Sequence, residues 1–194
     1  MYSAIDKLAR AFALLGGAVL SAIIVLTCLS IIGRSINTIL NSDFFQNQMP
    51  DIAASLLATG VGPINGDFEL VEAGMAFAIF AFIPICQLHG AHASVDIFTS
   101  KLSPRINRFL RVITELVFAL VLTLIAFQLL QGMLSKKNSG EVSFLLAFPV
   151  WWAYAFSLLA AVVSAFVAVY IAIARILETV NGSQFLPSEL GADH

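Results

Sequence analysis

An all-α integral membrane protein, a bundle of four helices with both termini cytoplasmic, is the fold class that this sequence predicts. Three observations lead there. Of 194 residues, 59% are hydrophobic and only 11% charged, against about a quarter charged in soluble domains. Four apolar runs are each close to the roughly 20 residues that carry a helix across about 30 Å of hydrocarbon. Lys and Arg, finally, are unequally divided between the two sides that those runs define. Helices are required because lipid offers unpaired backbone groups no partner, and no segment alternates as barrel strands do.

The first run, roughly residues 11–33, follows Lys7 and Arg10 as a secretory signal would. It exceeds the roughly 7–15 residues of a signal core and has no A-x-A cleavage pattern, so an uncleaved first span is expected. Residues 36–66 form a long outer connection, with a short helix expected at 51–58 after Pro50, capped by Asp51 and ended by Gly60. The second span covers roughly 70–88, and Pro84 lies inside it. A basic inner loop, 89–108, leads to the third span at roughly 109–134. A short outer loop precedes the fourth, at roughly 150–174, and the tail 176–194 is polar. Together these make a single membrane domain.

Orientation follows from the basic residues. Lys7, Arg10, Lys101, Arg105, Arg108, Arg111 and Arg175 fall on one side, and Arg34, Lys136 and Lys137 on the other. Seven against three puts the termini in the cytoplasm. Trp151, Trp152 and Tyr154 at the outer end of span four, and Tyr170 towards its inner end, suit the headgroup belts.

Small residues recur at four-residue spacing in two spans. Span one has Ala9, Ala13, Gly17 and Ser21. Span four has Ala153, Ser157, Ala161 and Ala165, with Ala160, Ser164, Ala168 and Ala172 beside them. Such ridges let membrane helices approach closely. Packing within the chain and packing against a partner both fit, which makes Ala161 and Ala165 partner-interface candidates.

Glu72 and Glu115 are the acidic residues nearest the membrane interior, where an ionisable group marks function by default. Glu72 lies beside Glu69 near the outer end of span two. Glu115, about 9 Å past Phe109 at helical rise, has Arg111 one turn earlier and Arg108 on the same face, so an ion pair is available to it. Gln128 and Gln131 can hydrogen-bond a neighbouring helix. Cys28 and Cys86, in separate apolar runs, read as buried free thiols. His89 and His92 lack the further donors of a structural zinc site, so no metal is expected. No haem ligand pair, nucleophile–base set or phosphate loop is present, so no cofactor and no enzymatic activity are expected. The net charge of −2 and the lack of a basic stripe exclude nucleic acid as a partner.

The stretch Gly66-Asp67-Phe68-Glu69-Leu70-Val71-Glu72, then Phe77-Ala78-Ile79-Phe80, then Gln87-Leu88-His89-Gly90-Ala91-His92-Ala93-Ser94-Val95-Asp96, carries a family resemblance. So do Gly140-Glu141-Val142-Ser143-Phe144, the Pro149-Val150-Trp151-Trp152-Ala153-Tyr154 run, and Arg34 at the outer end of span one. In this order they resemble the small membrane (Q) subunit of tripartite ATP-independent periplasmic (TRAP) transporters, over nearly the whole chain. The connection between spans one and two is longer than in many such subunits. The resemblance implies a bacterial inner-membrane stator in contact with membrane lipids. Its partners would be a large membrane subunit and a periplasmic substrate-binding protein. Uptake would be driven by an ion gradient, usually sodium, and the substrates would be organic acids. The competing expectation is a self-contained ion-coupled carrier using Glu72 or Glu115.

Overall fold

The computed structural model describes residues 2–90 and 104–181. Its elements are α1 (Tyr2–Leu40), α2 (Asp43–Gln48), α3 (Pro50–Ala58), α4 (Asp67–Leu88), α5 (Pro104–Ser139) and α6 (Trp151–Asn181). Helices α1, α4, α5 and α6 are long and apolar enough to cross a membrane, which bears out the four-helix fold. All four outrun the apolar runs that predicted them. A helix satisfies its own backbone in water as in lipid, so it continues past the hydrocarbon until a terminator intervenes. For α5 that terminator is Gly140, at φ 65°, after Lys136 and Lys137 in the last turn, where cations suit the helix dipole.

The expected helix at 51–58 exists as α3, with Pro50 rather than Asp51 opening it. Met49 is the residue before the first turn, and no side chain caps that end. Asp51 instead contributes negative charge within the first turn. Helix α2 was not anticipated, since six polar and aromatic residues give too short a pattern to read.

The helices pack in the order α1, α4, α6, α5. Helix α6 is therefore central, and both of its small-residue ridges are covered by the chain itself. Ala161, Ala165, Ala168 and Ala172 pack with Ala119, Leu122 and Ala126 of α5. Ala161 and Ala165 are thus core residues of this chain, which removes them from a partner surface. The span-one ridge behaves differently. Four residues turn a helix by about 400°, so a strict four-residue row drifts roughly 40° per step. Helix α1 has α4 as its one extensive neighbour, so the drift carries Ser21 out to the exposed surface, while Ala9 is fully buried. Close approach falls at Gly16 instead of Gly17: a methyl there would stand 2.9 Å from Ala81 Cβ. At the end that gathers the termini, Ile5 and Ala9 meet Leu88, Val167, Ile171 and Ala174.

Helix α4 passes through Pro84 without a break. Proline has no N–H, so the carbonyl four residues back, Phe80, loses its helical donor. The Ser164 hydroxyl, wholly buried in α6, donates to Phe80 O at 2.8 Å and has Ala160 O at 2.9 Å as its other acceptor. A neighbouring hydroxyl thus supplies what lipid cannot. Replacing Ser164 with Ala should cost about 1 kcal/mol, between the typical membrane hydrogen bond and an orphaned buried carbonyl. In a Pro84→Ala background that carbonyl regains its own N–H, and the penalty should shrink. Thermal unfolding of the double-mutant cycle in detergent checks this; equal penalties in both backgrounds would refute the coupling.

Several side chains depart from expectation. Cys28 is exposed, though both thiols are free as read. Tyr170 packs with Tyr2 against the terminal-end core. Trp152 is half-exposed, and Lys137 Nζ lies 5.5 Å from the ring centre of Trp151. His92 and the loop segment 91–103 lie outside the described residues.

Candidate functional site

One cluster of polar residues lies at the loop end of the bundle, where α1 leaves and α4 and α6 begin. Ser30, Gly33, Arg34 and Asn37 follow one another at three- and four-residue spacing, which puts them along one side of α1. The return segment after α3 runs down that side. Asn37 Nδ2 donates to Val61 O at 3.0 Å, and the Ile64 N–H donates to Ser30 Oγ at 3.2 Å. Gly33 faces the carbonyl of Gly62 so closely that any side chain would collide with it.

The segment ends at Asp67, the first residue of α4 and 8% exposed. Ser30 Oγ donates to its Oδ2 at 2.5 Å, its own Oδ1 accepts from the Phe68 N–H at 2.8 Å, and Arg34 Nη2 stands 3.7 Å from Oδ2. A buried carboxylate costs little only when bonded and paired in this way. The Arg34 guanidinium also lies 5.6 Å from the Phe68 ring centre, a cation–π distance. The structure therefore brings Arg34 to Asp67, a residue that sequence reasoning had not singled out. The legible signal was the polar period on α1 itself.

Glu69, one residue after Phe68, fastens the second loop. Its Oε1 accepts from the Leu145 N–H at 2.7 Å and its Oε2 from the Leu146 N–H at 3.0 Å. Charge-assisted bonds to two successive amides fix position as well as contact. Residues 141–150 fold as a tight hairpin. Val142 bridges Pro149, Ser143 N–H donates to Phe148 O at 2.9 Å, and Val150 N–H donates to Glu141 O at 3.0 Å. Ala147 adopts φ 53°, a left-handed value costly for a residue with Cβ and sustained by the surrounding bonds. At the tip, Phe144 is 95% exposed.

Glu72 lies about 4.5 Å deeper along α4 than Glu69 at helical rise. It is exposed and has no partner among the described residues. Glu115 belongs to the half of α5 nearer the terminal end and is half-buried and engaged; Arg111 is exposed and engaged, and Arg108 is exposed. The two glutamates, each a candidate for ion coupling, therefore sit towards opposite ends of the bundle. Among the described residues Gln128 bonds no neighbouring helix; it lines an open apolar groove of about 420 Å³ between α4 and α5. At the terminal end His89 Nε2 lies 3.1 Å from Asp6 Oδ1, and Arg10 Nε donates to Asp6 Oδ2 at 2.8 Å. Among the described residues no three His, Cys, Asp or Glu side chains gather as a metal site would need.

Four apolar helices joined by alanine packing, with a pinned polar end and an apolar outer surface, define an integral membrane protein. Over residues 23–181 the chain matches the family described as "Tripartite ATP-independent periplasmic transporters, DctQ component". It belongs to that family, the small component of TRAP transporters, which is a transporter family and not an enzyme family. Searches of curated proteins and of solved structures found no match.

Proposed function

We propose that this chain is the stator subunit of a secondary active TRAP transporter in the bacterial inner membrane, with both termini cytoplasmic. Its partners on this reading are a large elevator-type membrane subunit and a periplasmic substrate-binding protein. The complex takes up an organic acid, driven by an ion gradient, sodium in the usual case. The observation that carries the reading is the way α6 is closed in. Its flanks meet α4 and α5 through alanine and serine, while Glu72 is exposed and Glu115 lies towards the other end of the bundle. A rigid slab of this kind supports a moving partner, whereas a carrier needs a polar site between its own helices.

Reconstitution in liposomes tests it. The chain alone should give no sodium-dependent uptake, and uptake should appear only with the large subunit and the binding protein together. Robust flux through this chain by itself would establish the small-carrier alternative instead. A reporter active only in the periplasm, fused after residue 194, should stay silent; activity there would reverse the assigned orientation.

A further inference from the structure

We propose that the face of α4 carrying Glu72, with the α4/α5 groove beside it, seats a transmembrane helix of the large subunit bearing a Lys or Arg that meets Glu72. This rests on the stator reading above and names the surface and the chemistry by which the stator is held.

The case begins with depth. Gly74 of α4 packs against Val19 and Ile23 of α1, and Asp67 bonds Ser30. Glu72 therefore lies level with the stretch of α1 between Ile23 and Ser30. That stretch exposes Ile24, Val25 and Leu29, and α1 goes on exposing Ile32, Ile36 and Ile39 towards the loop end. Apolar surface continues for more than two turns beyond the level of Glu72, so the carboxylate stands inside the apolar belt. Its neighbours on the same face agree: Phe68, Met75 and Ile79 are all exposed.

Charge separates this face from ordinary lipid-facing surface. A carboxylate within the hydrocarbon region is expensive, and such groups pair with a partner. The two other carboxylates at this end of α4 obey the rule. Asp67 has Ser30 and Arg34, and Glu69 has two backbone amides. Glu72 has none among the described residues, and on this proposal its counterion comes from outside. An acyl chain carries no cation at this depth, and headgroups stay at the surface of the belt. A Lys or Arg on a membrane helix reaches it.

The groove supplies the seat. Phe80 forms its α4 wall, and Val121, Leu124, Ile125, Gln128 and Leu129 form its α5 wall. Eight residues separate Glu72 from Phe80, roughly 80° around the helix at 3.6 residues per turn. One helix lying in the groove therefore passes both the unpaired carboxylate and the unbonded Gln128 amide. The exposed stripe of α6, with Phe156, Leu159, Val162 and Phe166, offers neither charge nor amide.

The test uses the assembled complex. The chain, carrying a tag, is co-expressed with the large subunit, solubilised in mild detergent and purified, and the large subunit recovered per tagged chain is measured. Glu72→Arg, which sets two cations against each other, should lower recovery about tenfold or more, and Glu72→Leu should lower it several-fold. Unfolding of the isolated chain should not change for either variant, because Glu72 is exposed and has no hydrogen bond or ion pair among the described residues. A photocrosslinking residue at position 75 or 79 should capture one large-subunit helix. Reversing a Lys or Arg on that helix to Glu should restore recovery with Glu72→Arg. Full recovery with both variants overturns the proposal while leaving the stator reading intact. So does capture of lipid only, or capture of the large subunit from positions 159 and 162 instead. No recovery of the large subunit with the unaltered chain overturns the stator reading itself, and this proposal falls with it.

Discussion

Replacing Ala161 and Ala165 together with Leu should unfold the isolated subunit at markedly lower temperature. Ala161 is 1% and Ala165 8% exposed, and both press on Ala119, Leu122 and Ala126 of α5. Each substitution adds three heavy atoms to a seam already closed. Overpacking costs about 1–3 kcal/mol per site, so the pair should cost roughly 2–6 kcal/mol, less whatever neighbouring sites share. Helix α6 holds α4 and α5 on its two flanks, so no alternative neighbour can take up the added volume. Val162→Leu, on the exposed stripe of the same helix, should leave unfolding unchanged and serves as the control. Thermal unfolding in detergent, without the large subunit, reads both. If the alanine pair left the isolated chain intact and only released a partner, this seam would be external after all.

Gly33→Ala should be the most disruptive single substitution at the loop end. The added methyl would run into the Gly62 carbonyl, which is backbone and cannot swing aside as a side-chain tip can. The return segment must then leave α1, carrying with it the bonds from Asn37 to Val61 and from Ile64 to Ser30. A steric cost of about 1–3 kcal/mol exceeds the roughly 1 kcal/mol that alanine gains over glycine as a helix former. Gly17→Ala offers a matched comparison. The nearest atom to its new methyl is Phe82 Cζ at 4.0 Å, so helix propensity alone acts and the substitution should be neutral or stabilising. Hydrogen exchange locates the effect: the Ile64 amide should lose protection in Gly33→Ala and keep it in Gly17→Ala. Retained protection at Ile64 in both variants would mean that the contact at Gly62 is not a fixed feature.

Both substitutions turn on which residues face inward, and the sequence is silent there. In water, burial leaves a 3.6-residue period of apolar and polar positions, and that period shows which face of a helix is inside. Lipid removes the contrast, because its tails are as apolar as leucine. Leu14, Ile24 and Phe166 on the outside are as hydrophobic as Val167 and Ile171 within. Small-residue rows partly replace the lost signal. They succeed for α6, whose two neighbours keep a drifting row covered. They fail for α1, where a single extensive neighbour leaves the drift uncompensated and moves the contact from Gly17 to Gly16.

The candidate site was legible in the same uneven way. Arg34, Glu69 and Glu72 stood out as charges beside apolar runs, and all three lie at the end that the structure pins together. Their partners did not stand out. Asp67 reads as one more acidic residue in a loop until Ser30, 37 positions earlier, is found bonded to it. Nothing local marks Leu145 and Leu146 as the residues whose amides hold Glu69.

The sequence by itself determined the number of spanning helices, their places along the chain and the class of protein. Those depend on apolar length, on the need to satisfy backbone within each segment, and on ordered motifs. Only the tertiary structure decided the order α1, α4, α6, α5, the inward faces, the repair of the Pro84 gap by Ser164 and the isolation of Glu72. Each of these is set by packing or hydrogen bonding between residues far apart in sequence, and in a lipid-solvated chain no local hydrophobic contrast records it.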